Sequence, residues 1–152
     1  PLRELEKLRF DKKKESNLVV KSEDRYRLKE IAGETIELKI SIEPGTATEF
    51  GVEVYCDQDG KGGFPISIHP ARKSLSLGGV NAPFELRGGE KLELRVFLDK
   101  TMIEVFANDR QAMVASHRYA PGNLGVSLFS KGGAVLVKEV NGWKMKSIHA
   151  NR

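Results

Sequence analysis

Between Leu92 and Asn108 the chain reads Leu-Glu-Leu-Arg-Val-Phe-Leu-Asp-Lys-Thr-Met-Ile-Glu-Val-Phe-Ala-Asn, a pattern that excludes most folds. Leu92, Leu94, Val96 and Leu98 alternate with Glu93, Arg95, Phe97 and Asp99, the period of two that a strand with one buried face requires. Ile103, Val105 and Ala107 then alternate with Glu104, Phe106 and Asn108. Two such strands folded back between Asp99 and Met102 form an antiparallel hairpin. With Lys100 and Thr101 as the turn, Leu98 lies opposite Ile103, Val96 opposite Val105 and Leu94 opposite Ala107, and a one-residue slip would scatter this apolar face. Lys-Thr lacks the Gly or Asn that tight two-residue hairpins prefer, so the sequence predicts a loop one or two residues longer.

The opposite face of this hairpin carries Glu93, Arg95, Phe97, Glu104, Phe106 and Asn108. The register places Arg95 across from Phe106, with Phe97 on the diagonal. Two phenylalanines on a nominally wet face ask for cover. A local aromatic and cation–π cluster supplies it at about 1 kcal/mol per contact, and so does a second domain or subunit packed there. Arg95, Phe97, Glu104 and Phe106 are therefore the interface candidates.

The run from Leu94 to Asp109 resembles the C-terminal β-sandwich of glycoside hydrolase family 32, the invertases, levanases, inulinases and related β-fructosidases. The recurring wording there is Leu-Arg-x-Phe-x-Asp-x-Ser-x-x-Glu-x-Phe-x-Asn-Asp-Gly. This chain has Thr101 in place of the Ser, and Arg110 where a Gly usually closes the next turn. Pro1-Leu2-Arg3-Glu4-Leu5 followed by Leu8-Arg9 is similar to the family's entry into this domain, and Trp143-Lys144-Met145-Lys146-Ser147-Ile148 to its last strand.

The rest of the chain is punctuated like an all-β protein. Ile36, Leu38, Ile40 and Ile42 alternate with Glu37, Lys39, Ser41 and Glu43 up to Pro44-Gly45, and Phe50, Val52, Val54 and Cys56 repeat the pattern. Short strands are also expected over residues 17–21, 25–28, 112–119, 125–130, 134–140 and 143–148, with a hairpin turning near Pro70. Leu2, Leu5 and Leu8 fall at helical spacing, so residues 1–15 read as a helical turn or extended entry arm, and residues 16–152 as the sandwich. Roughly ten to twelve strands with little helix imply two antiparallel sheets packed face to face, jelly-roll or concanavalin/lectin-like in type. The 152 residues, 39% of them hydrophobic, suffice for one cored domain. A start on Pro1 rather than Met suggests a fragment or a processed product.

Several functions are excluded by what the residues lack. The net charge of +4 invites nucleic acid, but basic and acidic residues alternate, and Lys12-Lys13-Lys14 sits between Asp11 and Glu15. No apolar run approaches the roughly 18 to 20 residues of a membrane helix. The single Cys56 precludes an internal disulfide and reads as a buried structural thiol. Asp57-Gln58-Asp59-Gly60-Lys61 is short of oxygen ligands for calcium and reads as a plain turn. His69, His117 and His149 have no motif around them, and there is no Gly-x-Ser-x-Gly elbow, zinc signature or phosphate loop, so neither cofactor nor metal is expected.

Fructoside hydrolysis needs a carboxyl pair. The family's three catalytic motifs, Trp-x-Asn-Asp-Pro-Asn-Gly, Arg-Asp-Pro and Glu-Cys, belong to its N-terminal five-bladed propeller, and none occurs in this sequence. No catalytic residue is expected, and Glu104 reads as a structural ion pair with Arg95 or an interface contact. The resemblance implies an accessory domain whose partners are that propeller in the same polypeptide and, in some members, a second subunit as a homodimer. The alternative is a lectin-like module that binds fructan or another glycan by stacking sugars on exposed rings, with Trp143, Tyr55 and Tyr119 the candidates beside Phe97.

Overall fold

The computed structural model describes residues 5–118 and 120–146. After one 3-10 turn, Glu6–Leu8, the chain forms twelve strands. These are β1 (Arg9–Val20), β2 (Asp24–Ala32), β3 (Thr35–Glu43), β4 (Glu49–Cys56), β5 (Phe64–His69), β6 (Ser74–Leu77), β7 (Val80–Pro83), β8 (Leu92–Asp99), β9 (Met102–Ala107), β10 (Gln111–Ser116), β11 (Gly125–Lys131) and β12 (Val135–Met145). They build two six-stranded sheets, ordered β1-β12-β3-β8-β9-β10 and β2-β11-β4-β5-β6-β7, in which every pairing is antiparallel.

The sheets are held together by the apolar members of each alternating strand. Ile36, Leu38, Ile40 and Ile42 of β3, with Leu92, Leu94, Val96 and Leu98 of β8, bury one sheet's inner face. Phe50, Val52 and Val54, with Ile66, Ile68, Leu75 and Leu77, bury the other. All belong to a single core, as expected when two amphipathic sheets hide their apolar sides against each other.

The hairpin of β8 and β9 has the register read from the sequence, with Leu98 facing Ile103, Val96 facing Val105 and Leu94 facing Ala107. Its turn is not lengthened. Asp99 pairs with Met102, leaving only Lys100 and Thr101 between the strands, and Lys100 takes the left-handed conformation at φ 55°. A lysine tolerates this at a local cost because the strand pairing on either side fixes the ends.

Several boundaries differ from expectation, β2 running on to Ala32 and β10 stopping at Ser116, and two further differences bear on the packing. The strand expected at 17–21 begins at Arg9, so residues 9–15 of the expected arm lie in the sheet, paired with β12. Its charged run hides it from a periodicity test: β1 is an edge strand exposed over most of its length, and charge on an edge discourages pairing with another chain. The expected break between 140 and 143 is absent, because β12 runs through. Gly142 is not a turn residue; a Cβ there would stand 2.8 Å from Cγ2 of Ile31, so glycine lets the second sheet pack closely.

Candidate functional site

The outward side of the first sheet gathers all four interface candidates. Strand register sets Trp143, Glu37, Phe97, Glu104 and Val114 in one row across β12, β3, β8, β9 and β10. Asn141, Lys39, Arg95, Phe106 and Ala112 form the next row. At the centre is Glu37, which is 0% exposed although it points away from the core. Arg9 grips both its oxygens, Nε donating to Oε1 at 2.6 Å and Nη2 to Oε2 at 2.6 Å. Arg95 Nε donates to Oε2 at 2.7 Å. Glu6 stands 3.5 Å from Arg9 and 3.4 Å from Arg95.

Aromatic rings flank this cluster. The Arg9 guanidinium lies 4.0 Å from the centre of the Trp143 ring, with Lys12 5.6 Å away. Arg95 sits 5.1 Å from the Phe97 ring, and Phe97 meets Phe106 edge-on at 6.1 Å, a favoured geometry for two rings. The two arginines, about 15% exposed, and the rings beside them seal the carboxylate from water. The hydrogen bond to Glu37 raises the pKa of Arg9 despite the opposing effect of burial. A carboxylate held by two guanidinium groups and shut from solvent is a structural anion and offers neither a proton nor a nucleophile to a substrate.

Arg95 therefore finds its carboxylate in Glu37, and the ion pair expected with Glu104 is not formed. Glu104 is half-buried beside Phe97 and makes no hydrogen bond or ion pair among the described residues. Glu37 was missed because it fills an ordinary outward position in an alternating strand; its burial depends on arginines 28 and 58 residues away.

The ring candidates for sugar stacking separate. Tyr55 is 2% exposed, its ring stacked on His117 at 5.2 Å and its hydroxyl donating to the Glu34 carbonyl at 3.0 Å, so it offers no face to a sugar. Burial lowers the pKa of His117. Trp143 is half-buried, with the Arg9 guanidinium stacked over its ring. Tyr119 and His149 lie outside the described residues. Cys56 is fully buried, and burial raises its pKa, as expected of a structural thiol. The Asp57 carboxylate accepts from the amides of Asp59 and Lys61, both at 2.9 Å, closing a plain turn.

Arg110, the departure from the family wording, has a structural use. Asn108 and Asp109 supply the left-handed conformations of the turn at φ 48° and 53°, leaving Arg110 free to clamp Glu90 at 2.6 and 2.8 Å and to cover Phe84. Hydrogen bonding by Arg110, and then by the Arg87 amide, lowers the Glu90 pKa to about 2.

Comparison with known proteins places this architecture. Residues 4–144 match the model for the C-terminal domain of glycosyl hydrolases family 32. A levanase of Bacillus subtilis is 26% identical over 170 aligned positions, which include 97% of this chain and 24% of the levanase. Fructan 1-exohydrolase IIa of Cichorium intybus superimposes with a TM-score of 0.79 at 16% identity, over 97% of this chain and 38% of that one. Exo-inulinase of Aspergillus awamori gives 0.75 at 15% identity, over 94% and 31%. The chain thus spans about a quarter of the levanase and about a third of these structures. The motif-bearing hairpin, the two-sheet sandwich and the match along nearly the whole length agree: the chain belongs to glycosyl hydrolase family 32 and corresponds to the C-terminal β-sandwich of its fructosidases.

Proposed function

We propose that this chain is a non-catalytic accessory domain of a β-fructosidase-type hydrolase, resting against a five-bladed catalytic propeller through the outward side of its first sheet. The stretch ahead of β1 would lead in from that domain. Substrates of the whole protein would be fructosides such as sucrose, inulin or levan.

The observation that carries this reading is the outward row of β12, β3, β8, β9 and β10. Phe97 and Phe106 lie beside Glu104, which has no partner among the described residues, and Val114 is 57% exposed at the end of the row. An apolar patch with an accessible carboxylate that lacks a partner among the described residues is chemistry that a covering surface with donors would complete.

The test is binding between this chain and the separately produced catalytic domain. Phe106→Asp and Glu104→Arg should each weaken association at least about tenfold while thermal unfolding of the sandwich alone is retained. Unchanged association would overturn the assignment of this face, and self-association of the chain lost in the same variants would assign it to a homodimer instead. The chain alone should release no fructose from sucrose, inulin or levan; release abolished by Glu104→Gln would refute the non-catalytic reading.

A further inference from the structure

The two sheets end on four edge strands, β1, β10, β2 and β7, and three of these are guarded. β1 carries Asp11, Lys12, Lys13, Lys14 and Glu15 in one run and breaks register between Phe10 and Lys13. β2 reads Asp-Arg-Tyr-Arg-Leu-Lys-Glu-Ile-Ala, and β7 has only four residues and ends on Pro83. Charge, a bulge, short length and proline are the devices that keep an edge from pairing with another chain. The β1 and β2 edges are also tied to each other, since Glu15 accepts from the Tyr26 hydroxyl at 2.8 Å and from the Glu30 amide at 3.2 Å. β10 lacks charge, bulge and proline. It reads Gln-Ala-Met-Val-Ala-Ser and keeps one register against β9 for all six residues.

The ladder shows which groups of β10 face outward from the sheet. The His117 amide donates to the Thr101 carbonyl at 2.7 Å, and bonded positions alternate along an antiparallel pair. Ala115, Met113 and Gln111 therefore bond to β9, and the backbone groups of Ala112, Val114 and Ser116 point to the open edge. The Ala112 amide is taken by the Gln111 side-chain oxygen at 3.0 Å. The amides of Val114 and Ser116 have no partner at that edge among the described residues. All three residues are exposed, Val114 by 57%. Charge selects the occupant. Like charges set opposite each other repel, so β1 and β2 are poor partners for their own copies, whereas a neutral strand of small side chains fits itself. With Val114 opposite its counterpart, Ala112 of each copy faces Ser116 of the other, and the leftover amides and carbonyls complete one another. Arg110, just ahead of the strand, is held by Glu90 at 2.6 Å, which neutralises it. We propose that β10 pairs antiparallel with β10 of a second copy of this chain about a two-fold axis at Val114, joining two six-stranded sheets into one of twelve strands. Such a contact uses the same patch on both copies and closes on itself. It lies on a strand edge, not on the face assigned to the catalytic domain, and does not depend on that assignment.

The experiment is sedimentation of this chain from micromolar to millimolar concentration, joined to amide hydrogen exchange. A monomer–dimer equilibrium is expected, with the Val114 and Ser116 amides gaining protection as the dimer fills. Val114→Lys and Val114→Glu, each of which sets like charges across the axis, should each weaken association at least about tenfold. Mixed in equal amounts the two variants should dimerise again, because opposite charges then meet. Recovery in the mixture requires both variants to be folded, and thermal unfolding of each checks this separately. Phe106→Asp, on the outward face, leaves the dimer unchanged. A chain that stays monomeric at every concentration would overturn the proposal. So would association that survives Val114→Lys, that is lost in Phe106→Asp, or that fails to return in the mixture.

Discussion

The two sheets share one core but turn opposite surfaces to their surroundings. The first sheet covers its outward centre with its own side chains: two arginines and two rings close over Glu37, and Phe106 extends the apolar patch. The second sheet's outward row has small residues at its centre, Gly51 and Ser67, both buried, beside the buried ring of Phe129. Both sheets share the same alternation of inward apolar residues, so the difference lies in what occupies the outward half of each strand. The face proposed for contact with the catalytic domain is the one whose outward charge is covered by this chain's own side chains.

The sharpest way to break this comparison is Glu37→Ala, which strands two arginines that are about 15% exposed. Urea unfolding should show a loss of about 3 kcal/mol, the lower end for breaking a buried pair because the guanidinium groups retain some water. Ser67→Ala on the outward side of the second sheet should change stability by less than about 0.5 kcal/mol; equal losses would erase the distinction. Gly51→Ala should cost about 2 kcal/mol, because the strand pair must part to admit the methyl group.

A smaller effect tests the link between the sheets. Tyr26 of β2 donates to Glu15 of β1 at 2.8 Å, and burial, then that bond, raise its pKa to about 12. Between the ordinary tyrosine value near pH 10 and about 12 the folded state keeps a proton that the unfolded state loses. Stability should therefore fall as pH rises through that window, and Tyr26→Phe should flatten this part of the curve. Smallest is Lys100→Gly, which relieves the left-handed turn residue and should add up to about 1 kcal/mol, the conformational gain being offset in part by a looser unfolded chain.

How legible each region was follows from the distance over which it is encoded. The β8–β9 hairpin could be read in full register because partners lie a few residues apart and one period governs both strands. Cys56 as a buried thiol followed from its neighbours in the same strand. Glu37 could not be found that way, since Arg9 sits in what reads as an arm and Arg95 in another hairpin. Tyr55 was misplaced for a related reason. Its position after Val54 looks outward by alternation, but it takes φ 57°, which breaks the alternation and sends the ring into the core.

The placement of β12 between β1 and β3 has a consequence for how the molecule assembles. Among the described residues β1 has no other neighbour in its sheet, so it must wait for nearly all of the described chain to be synthesised before its backbone can be paired. Arg9 is carried on that strand, and the completed lid over Glu37 becomes a late event in folding. Such distant pairings slow the search and leave an unpaired edge open to the wrong strand meanwhile. The lysines of β1 then serve as guards during the delay, keeping a nascent strand from sticking to its copies on neighbouring chains until its proper companion arrives.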